Sequence, residues 1–91
     1  MILAKVVGNV VSTRKEDALV GFKLLLVQAI DPKDESLVGE TFVAVDTLGA
    51  GVSDRVLVVR GGGARTVSEM HRNAPIDAAI VGIIDPTDVM E

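Results

Sequence analysis

The strongest constraint on this chain is a pair of short aliphatic runs, Thr41 to Asp46 and Arg55 to Arg60, joined by a glycine-bearing loop. Each run is β-branched or aliphatic and is bounded by Gly or Asp, a pattern that favours buried strands. Glycine reaches positive φ at no steric cost and lets another backbone approach closely. Because Gly49 and Gly51 flank the small Ala50, we expect this loop to press against a neighbouring surface.

Three further segments are predicted to be strands. Ile2 to Thr13 is an apolar, β-branched run broken by Gly8, which predicts a long strand with a bend or bulge at that glycine. Lys23 to Ile30 predicts a second strand, because it is short and stops at Asp31, where the following proline disfavours helix. Ile76 to Asp85 predicts the last strand.

The five predicted strands suit a mainly β fold, a small closed barrel of the OB type, with residues 1–91 forming a single domain. Thr66 and Glu69 have the spacing of a capping box, which predicts one short helical turn. No long amphipathic helix is available to cover one face of an open sheet. Closure is therefore favoured over the alternative of an open two-layer sheet.

The chain is apolar for its length, with 48% hydrophobic and 24% charged residues. A domain of this size buries only roughly 60 to 65% of the surface that its unfolded chain exposes. More aliphatic side chains are therefore present than one small barrel can hide. Surplus apolar surface usually marks an interface, so we expect an oligomer.

Composition also constrains the compartment. Cysteine is absent, which excludes disulfides, thiolate nucleophiles and cysteine-ligated metals, and a cytoplasmic location is expected. No uninterrupted apolar stretch approaches the ~20 residues that span a bilayer. The first residues place Lys5 within an apolar run and lack a small-residue cleavage pattern, so neither membrane insertion nor secretion is expected.

The charge pattern argues against nucleic acid as a partner. The formal net charge is -4, and basic residues are scattered between Lys5 and Arg72 instead of forming a stripe. Two Phe, with no Trp or Tyr, leave few platforms on which bases stack. An OB-type binding module for a nucleic acid or a small anion remains the alternative, and the barrel is its only support.

The residues form no recognisable catalytic constellation, so no enzymatic activity is expected. His71 is the only histidine and lies in a polar stretch without neighbouring metal-ligand spacing. Asp46 and Asp77 lie at strand ends, where we expect partial burial and bonds from backbone N–H groups. Arg60 and Arg65 are the expected partners of one of these carboxylates.

A second glycine loop, Gly61 to Arg65, leads into the predicted helical turn. A glycine loop at a helix N-terminus can cradle an anion. This loop lacks the Lys-Ser/Thr of a nucleotide P-loop and the GxGxxG spacing of a dinucleotide site, so glycines that serve packing are favoured. Neither a cofactor nor a metal is expected.

Five stretches of the chain, in order, resemble one protein family. The chain is similar to the pentameric vertex proteins of bacterial microcompartment shells, the family that includes carboxysome and ethanolamine-utilisation vertex subunits. The loop LGAG, the glycine loop that ends in Ala-Arg and the closing VGIID are together quite specific. The matching stretches are AKVVGNVVST (Ala4 to Thr13), KLLLVQ (Lys23 to Gln28), VAVDTLGAG (Val43 to Gly51), VLVVRGGGAR (Val56 to Arg65) and PIDAAIVGIID (Pro75 to Asp85).

The resemblance implies an OB-like barrel, a cyclic homopentamer and a structural role without catalysis. It implies that the pentamer closes the corners of an icosahedral shell that is otherwise tiled by hexameric shell proteins. The expected partners are thus other copies of the chain and those hexamers, in the shell of a cytoplasmic microcompartment. The chain departs from the family pattern at Ser53, where glycine is common, at Arg55, where an aromatic residue is common, and at Gly62 and Gly63, where serines are common.

Small residues in the two glycine loops are the candidates for a subunit interface or for the lining of a fivefold pore. Cyclic assembly joins two different surfaces of neighbouring copies, and small residues let their backbones approach. These small candidates are Gly49, Ala50, Gly51, Gly61, Gly62, Gly63 and Ala64, and Arg65 at the end of the second loop is a further candidate.

Overall fold

The computed structural model describes residues 1–11, 22–61 and 77–85, and a strand is present at each of the five predicted segments. The predicted helical turn at residues 66–69 lies outside the described residues. The third strand begins earlier than the sequence predicts, at Leu37 instead of Thr41. The strands are β1 (Ile2–Val10), β2 (Lys23–Ile30), β3 (Leu37–Asp46), β4 (Arg55–Arg60) and β5 (Ala78–Ile84).

The strands close into a barrel in the order β1-β2-β3-β5-β4, with β4 pairing back onto β1. Every neighbouring pair is antiparallel except β3 and β5, which are parallel and meet at the register pair Val45 and Ala79. The predicted closed five-stranded barrel of the OB type is therefore confirmed, and the open two-layer sheet is wrong. Closure removes the exposed sheet edges that an open arrangement would leave.

Two irregularities bend the barrel wall. The register between β1 and β2 shifts between Val6 and Gly8, which confirms the bulge predicted at that glycine. A second shift separates Gln28 from Ile30, where β3 bulges around Gly39 at φ 73°. The Gln28 amide donates to the Gly39 carbonyl at 2.8 Å and holds this bulge. The bulge explains the missed strand start, because glycine and charge interrupt the β pattern there.

The polar segment between β2 and β3 is a turn, as predicted. The Lys33 N–H donates to Asp31 at 2.8 Å, and the Ser36 N–H donates to Asp34 at 2.9 Å. The Ser36 backbone bond lowers the pKa of the Asp34 carboxyl below its usual value, because it stabilises the charged form. Glu35 forms an ion pair with Arg55 at the start of β4.

The barrel interior is a single aliphatic cluster. In β2, the buried Leu25 and Val27 alternate with more accessible neighbours, as the two-residue period of a strand requires. Ala50, from the β3–β4 loop, is also buried in this cluster. The cluster comprises Ala4, Val6, Leu25, Val27, Ala44, Ala50, Val56, Val58, Ala78 and Ile80.

The outward faces of β2 and β3 are aliphatic too, and we call this surface the outer wall: Leu24, Leu26, Val43 and Val45. Leu26 and Val43 are register partners, and Val43 is 43% exposed. Val45 is buried against Ala79, with Leu24 and Val59 packed beside them. Because one layer of strands carries aliphatic side chains on both faces, the barrel leaves apolar surface accessible. No helix among the described residues is long and apolar enough to cross a membrane.

The end of the β3–β4 loop is bonded to β1, and this fixes an unfavourable backbone conformation. The Ser53 N–H donates to the Val6 carbonyl at 2.8 Å, and the Val6 N–H donates to the Asp54 carbonyl at 2.9 Å. Ser53 is held at φ 78°, in the left-handed region that glycine tolerates and L side chains disfavour. Ser53 thus occupies a backbone position that favours glycine.

Replacing Ser53→Gly should stabilise the fold by about 0.5 to 1 kcal/mol, because relief of the left-handed strain outweighs the added freedom of the unfolded chain. Thr47→Gly is the control, because Thr47 lies in the same loop without positive φ, and it should cost about 0.5 to 1 kcal/mol. Urea unfolding at one fixed protein concentration measures both changes. Equal destabilisation by the two variants would contradict the strain at Ser53.

Candidate functional site

Asp46 organises the corner at which β3 becomes the β3–β4 loop. Its carboxylate is buried, and it accepts the Leu48 N–H at 2.9 Å and the Ala50 N–H at 2.8 Å. Bonds from backbone N–H groups to a carboxylate are strong, charge-assisted bonds. The prediction that a strand-terminal Asp46 is buried and accepts backbone bonds is confirmed.

Lys23 completes this corner from the neighbouring strand. It is the register partner of Asp46, and its Nζ lies 3.8 Å from Asp46 Oδ2. The ammonium group also donates to the Ala50 carbonyl. Both backbone polar groups of the buried Ala50 are therefore bonded, which removes the free-energy cost of burying them unpaired.

Asp54 fixes the second half of the loop. Its Oδ2 accepts the Gly51 N–H at 2.8 Å, and its own N–H donates to the Gly51 carbonyl at 3.0 Å. Together with the Asp46 corner, these bonds hold both halves of the loop across the barrel end. The two carboxylates are hydrogen-bonded to the backbone of the loop. They therefore hold the loop in place and are not arranged as an acid–base pair.

The rigid loop presents two apolar side chains outward, and we call Leu48 and Val52 the loop surface. Leu48 is 50% exposed and Val52 is 52% exposed, while Ala50 between them is fully buried. Sequence inspection missed this surface because a loop has no two-residue period that separates inward from outward side chains. The burial of Ala50 in the structure shows that Leu48 and Val52 face outward.

The candidate glycines lie at two ends of the barrel. Gly49 is exposed with φ 89°, in the left-handed region, whereas Gly51 is half-buried and is not in that region. Gly61 is exposed with φ 71° at the end of β4. Because β3 and β4 run in opposite directions, the two loops point to opposite ends of the barrel. Residues 62–65, which include Gly62, Gly63, Ala64 and Arg65, lie outside the described residues.

Two expectations about charged residues are wrong. Asp77 is exposed and not partly buried, although its carbonyl accepts the Gly61 N–H at 2.6 Å. Arg60 does not pair with Asp46 or Asp77. Its guanidinium lies 4.3 Å from the centre of the Phe42 ring, a cation–π contact.

This Arg60–Phe42 pair borders an open cavity of about 310 Å³ at the barrel end opposite the loop surface, where the β3 bulge and Ile2 complete the lining. The part of the chain that the structure describes contains no cluster of His, Cys, Asp or Glu suited to a metal ion.

The fold and the loop define a small closed barrel with a hydrogen-bonded loop at one end that exposes apolar side chains. The family described as ethanolamine utilisation protein EutN/carboxysome matches residues 1–85, and the chain belongs to this family.

Curated relatives match almost the whole chain. The carboxysome shell vertex protein CcmL of Synechocystis sp. is 50% identical over 98% of this chain and 87% of its own length. The bacterial microcompartment shell vertex protein PduN of Salmonella typhimurium is 47% identical over 93% of this chain and 96% of its own length. These names give no support to the alternative of an OB-type binding module.

Solved structures match the barrel closely. The CcmL structure from Nostoc sp. has a TM-score of 0.86 at 45% identity, over 93% of this chain and 88% of that one. GrpN of Rhodospirillum rubrum, a pentameric microcompartment shell protein, has a TM-score of 0.82 at 46% identity, over 93% of this chain and 94% of that one.

Replacing Asp46→Asn should destabilise the protein by about 1 to 3 kcal/mol, because Leu48 and Ala50 donate to different oxygens of the carboxylate and an amide replaces one of these oxygens with an NH2 donor. Asp54→Asn is the matched control. Its side chain accepts a single backbone bond, which an Asn oxygen can retain, so its cost should be about 1 kcal/mol or less. Urea unfolding at equal protein concentration compares them. A larger cost at Asp54 would contradict the central role of the Asp46 corner.

Proposed function

We propose that this protein is a structural shell subunit that forms a cyclic homopentamer and closes the vertices of an icosahedral bacterial microcompartment. The observation that carries this proposal is the match to relatives named as shell vertex proteins over nearly the whole chain. The similarity to GrpN, a pentameric shell protein, supports the ring of five.

The surface chemistry of the barrel supports a ring. In a cyclic oligomer each contact joins two different surfaces, so every copy covers one surface of each neighbour. Val43 of the outer wall and Leu48 and Val52 of the loop surface are each about half exposed on one copy. A ring removes such surfaces from water, and this burial favours association.

The proposed partners are other copies of this chain and the hexameric proteins that tile the flat facets of the shell. Fivefold corners are required to close a sheet of hexamers into an icosahedron, which gives a vertex pentamer its role. We propose no reaction for the protein. The two loop carboxylates, Asp46 and Asp54, are both engaged by backbone N–H groups, which is consistent with a structural role.

Native mass measurement of the purified protein should give a species of five chains at micromolar concentration. Mixing it with hexameric shell proteins should convert open sheets into closed particles, visible by electron microscopy. Hexameric shell proteins assembled without the pentamer are the control and should remain open sheets. A protein that stays monomeric and leaves the shell unchanged would overturn the proposed function.

The seam between copies is proposed to include the small residues of the β3–β4 loop. Gly51→Val tests this placement cleanly, because Gly51 lacks positive φ and an added Cβ would meet only Asp54 Oδ2 at 3.9 Å, an ordinary contact. We expect the variant to keep the barrel and to raise the concentration needed for pentamer formation about tenfold or more. Circular dichroism checks the fold and native mass the assembly. An intact pentamer would exclude Gly51 from the seam.

A further inference from the structure

The outer wall is an apolar surface on the side of the barrel. Leu26 and Val43 face outward as a register pair, beside the buried Val45. Within this wall Val43 is 43% exposed, Leu24 and Leu26 are half-buried, and Val45 is covered within its own chain. Isolated exposed aliphatic residues are ordinary on protein surfaces, whereas a contiguous group of them indicates a contact surface.

The loop surface lies at the end of the barrel and is fixed before any contact forms. The bonds to Asp46 hold Leu48 and Ala50, and the bonds between Gly51 and Asp54 close the turn that contains Val52. A surface that is already ordered loses little conformational entropy on binding. The apolar side chains at this barrel end are therefore suited to pack against another apolar surface.

The angle between these two surfaces suits a ring of five. In a closed fivefold ring, the outward directions of the two contact faces of each subunit differ by about 108°. A barrel end and a barrel side are roughly perpendicular, close to this value. Two opposite barrel ends face away from each other, and a contact between them would extend into an open filament.

A third accessible pair, Leu37 and Val38, lies at the other end of the barrel. Leu37 pairs with Ile30 at the far end of the β2–β3 hairpin, whereas Asp46 and Lys23 pair beside the loop. Contact between this pair and the loop surface would join opposite ends. The fivefold geometry therefore favours the outer wall as the partner of the loop surface.

We propose that the loop surface of one copy packs against the outer wall of the next copy around the ring. This placement rests on the proposed pentamer and assigns the two faces of its repeated contact. Lys23 lies beside both surfaces, and its ammonium group is engaged by Ala50 and Asp46 within its own chain. The contact therefore brings aliphatic side chains together without leaving that charge unpaired.

Charge substitutions test the two faces. Leu48→Lys and Val43→Asp should each raise the concentration needed for pentamer formation about tenfold or more, because each places a charge in an apolar contact. Leu37→Lys and Val38→Asp are matched controls, because Leu37 is 50% exposed like Leu48, and Val38 is 43% exposed like Val43. Both controls should assemble within about twofold of the unmodified chain.

A double variant tests whether the two faces touch each other. When Leu48→Lys and Val43→Asp are present in one chain, opposite charges meet at every contact around the ring. The double variant should assemble at a lower concentration than either single variant. Leu48→Ala and Val43→Ala, which remove apolar area without adding charge, give a second reading if a charged variant does not fold.

Sedimentation velocity and native mass give the assembly state of each variant. A pentamer that is unaffected by both single substitutions, or a double variant that needs as high a concentration for assembly as either single variant, would overturn this assignment of faces. Failure of the unmodified chain to form a pentamer would instead overturn the proposed function. The two failures are therefore distinguishable.

Discussion

Aliphatic side chains on both faces of the strands are the constraint on which the rest of the structure depends. In β2, Leu25 and Val27 fill the barrel, while Leu24 and Leu26 face outward. A closed barrel is a single layer of strands, so it covers its inward side chains and leaves outward side chains such as Val43 partly exposed. An apolar exterior is stable in water when another apolar surface covers it. Association therefore originates in the same strands that build the core.

Polar side chains fix the β3–β4 loop at one end of the barrel. Asp46, Lys23 and Asp54 bond the backbone of the β3–β4 loop and hold Ala50 inside the core. The same bonds direct Leu48 and Val52, which lie two residues before and after Ala50, outward. A buried carboxylate that accepts two N–H groups is a structural element here, and its burial is compatible with charge because strong hydrogen bonds satisfy it. The loop thus combines a polar interior with an apolar exterior.

Much of the barrel follows from local pattern. The positions of the strands, the bulge at Gly8 and the backbone bonds of Asp46 were predictable, because each depends on residues adjacent in sequence. The early start of β3 was missed, since Gly39 and its charged neighbour interrupt the β pattern although a bulge accommodates them. The exposure of Asp77 and the contact of Arg60 with Phe42 were missed because they depend on distant strands.

The sequence by itself determined the strand segments, their two-residue alternation, the excess of aliphatic side chains and the family. The tertiary structure decided which face of each strand is inside, that Lys23 lies opposite Asp46, and that Ala50 is buried while Leu48 and Val52 are exposed. Alternation along one strand defines two faces but does not assign them. Barrel closure assigns them, because pairing β5 between β3 and β4 is a non-local event that encloses one face of every strand at once.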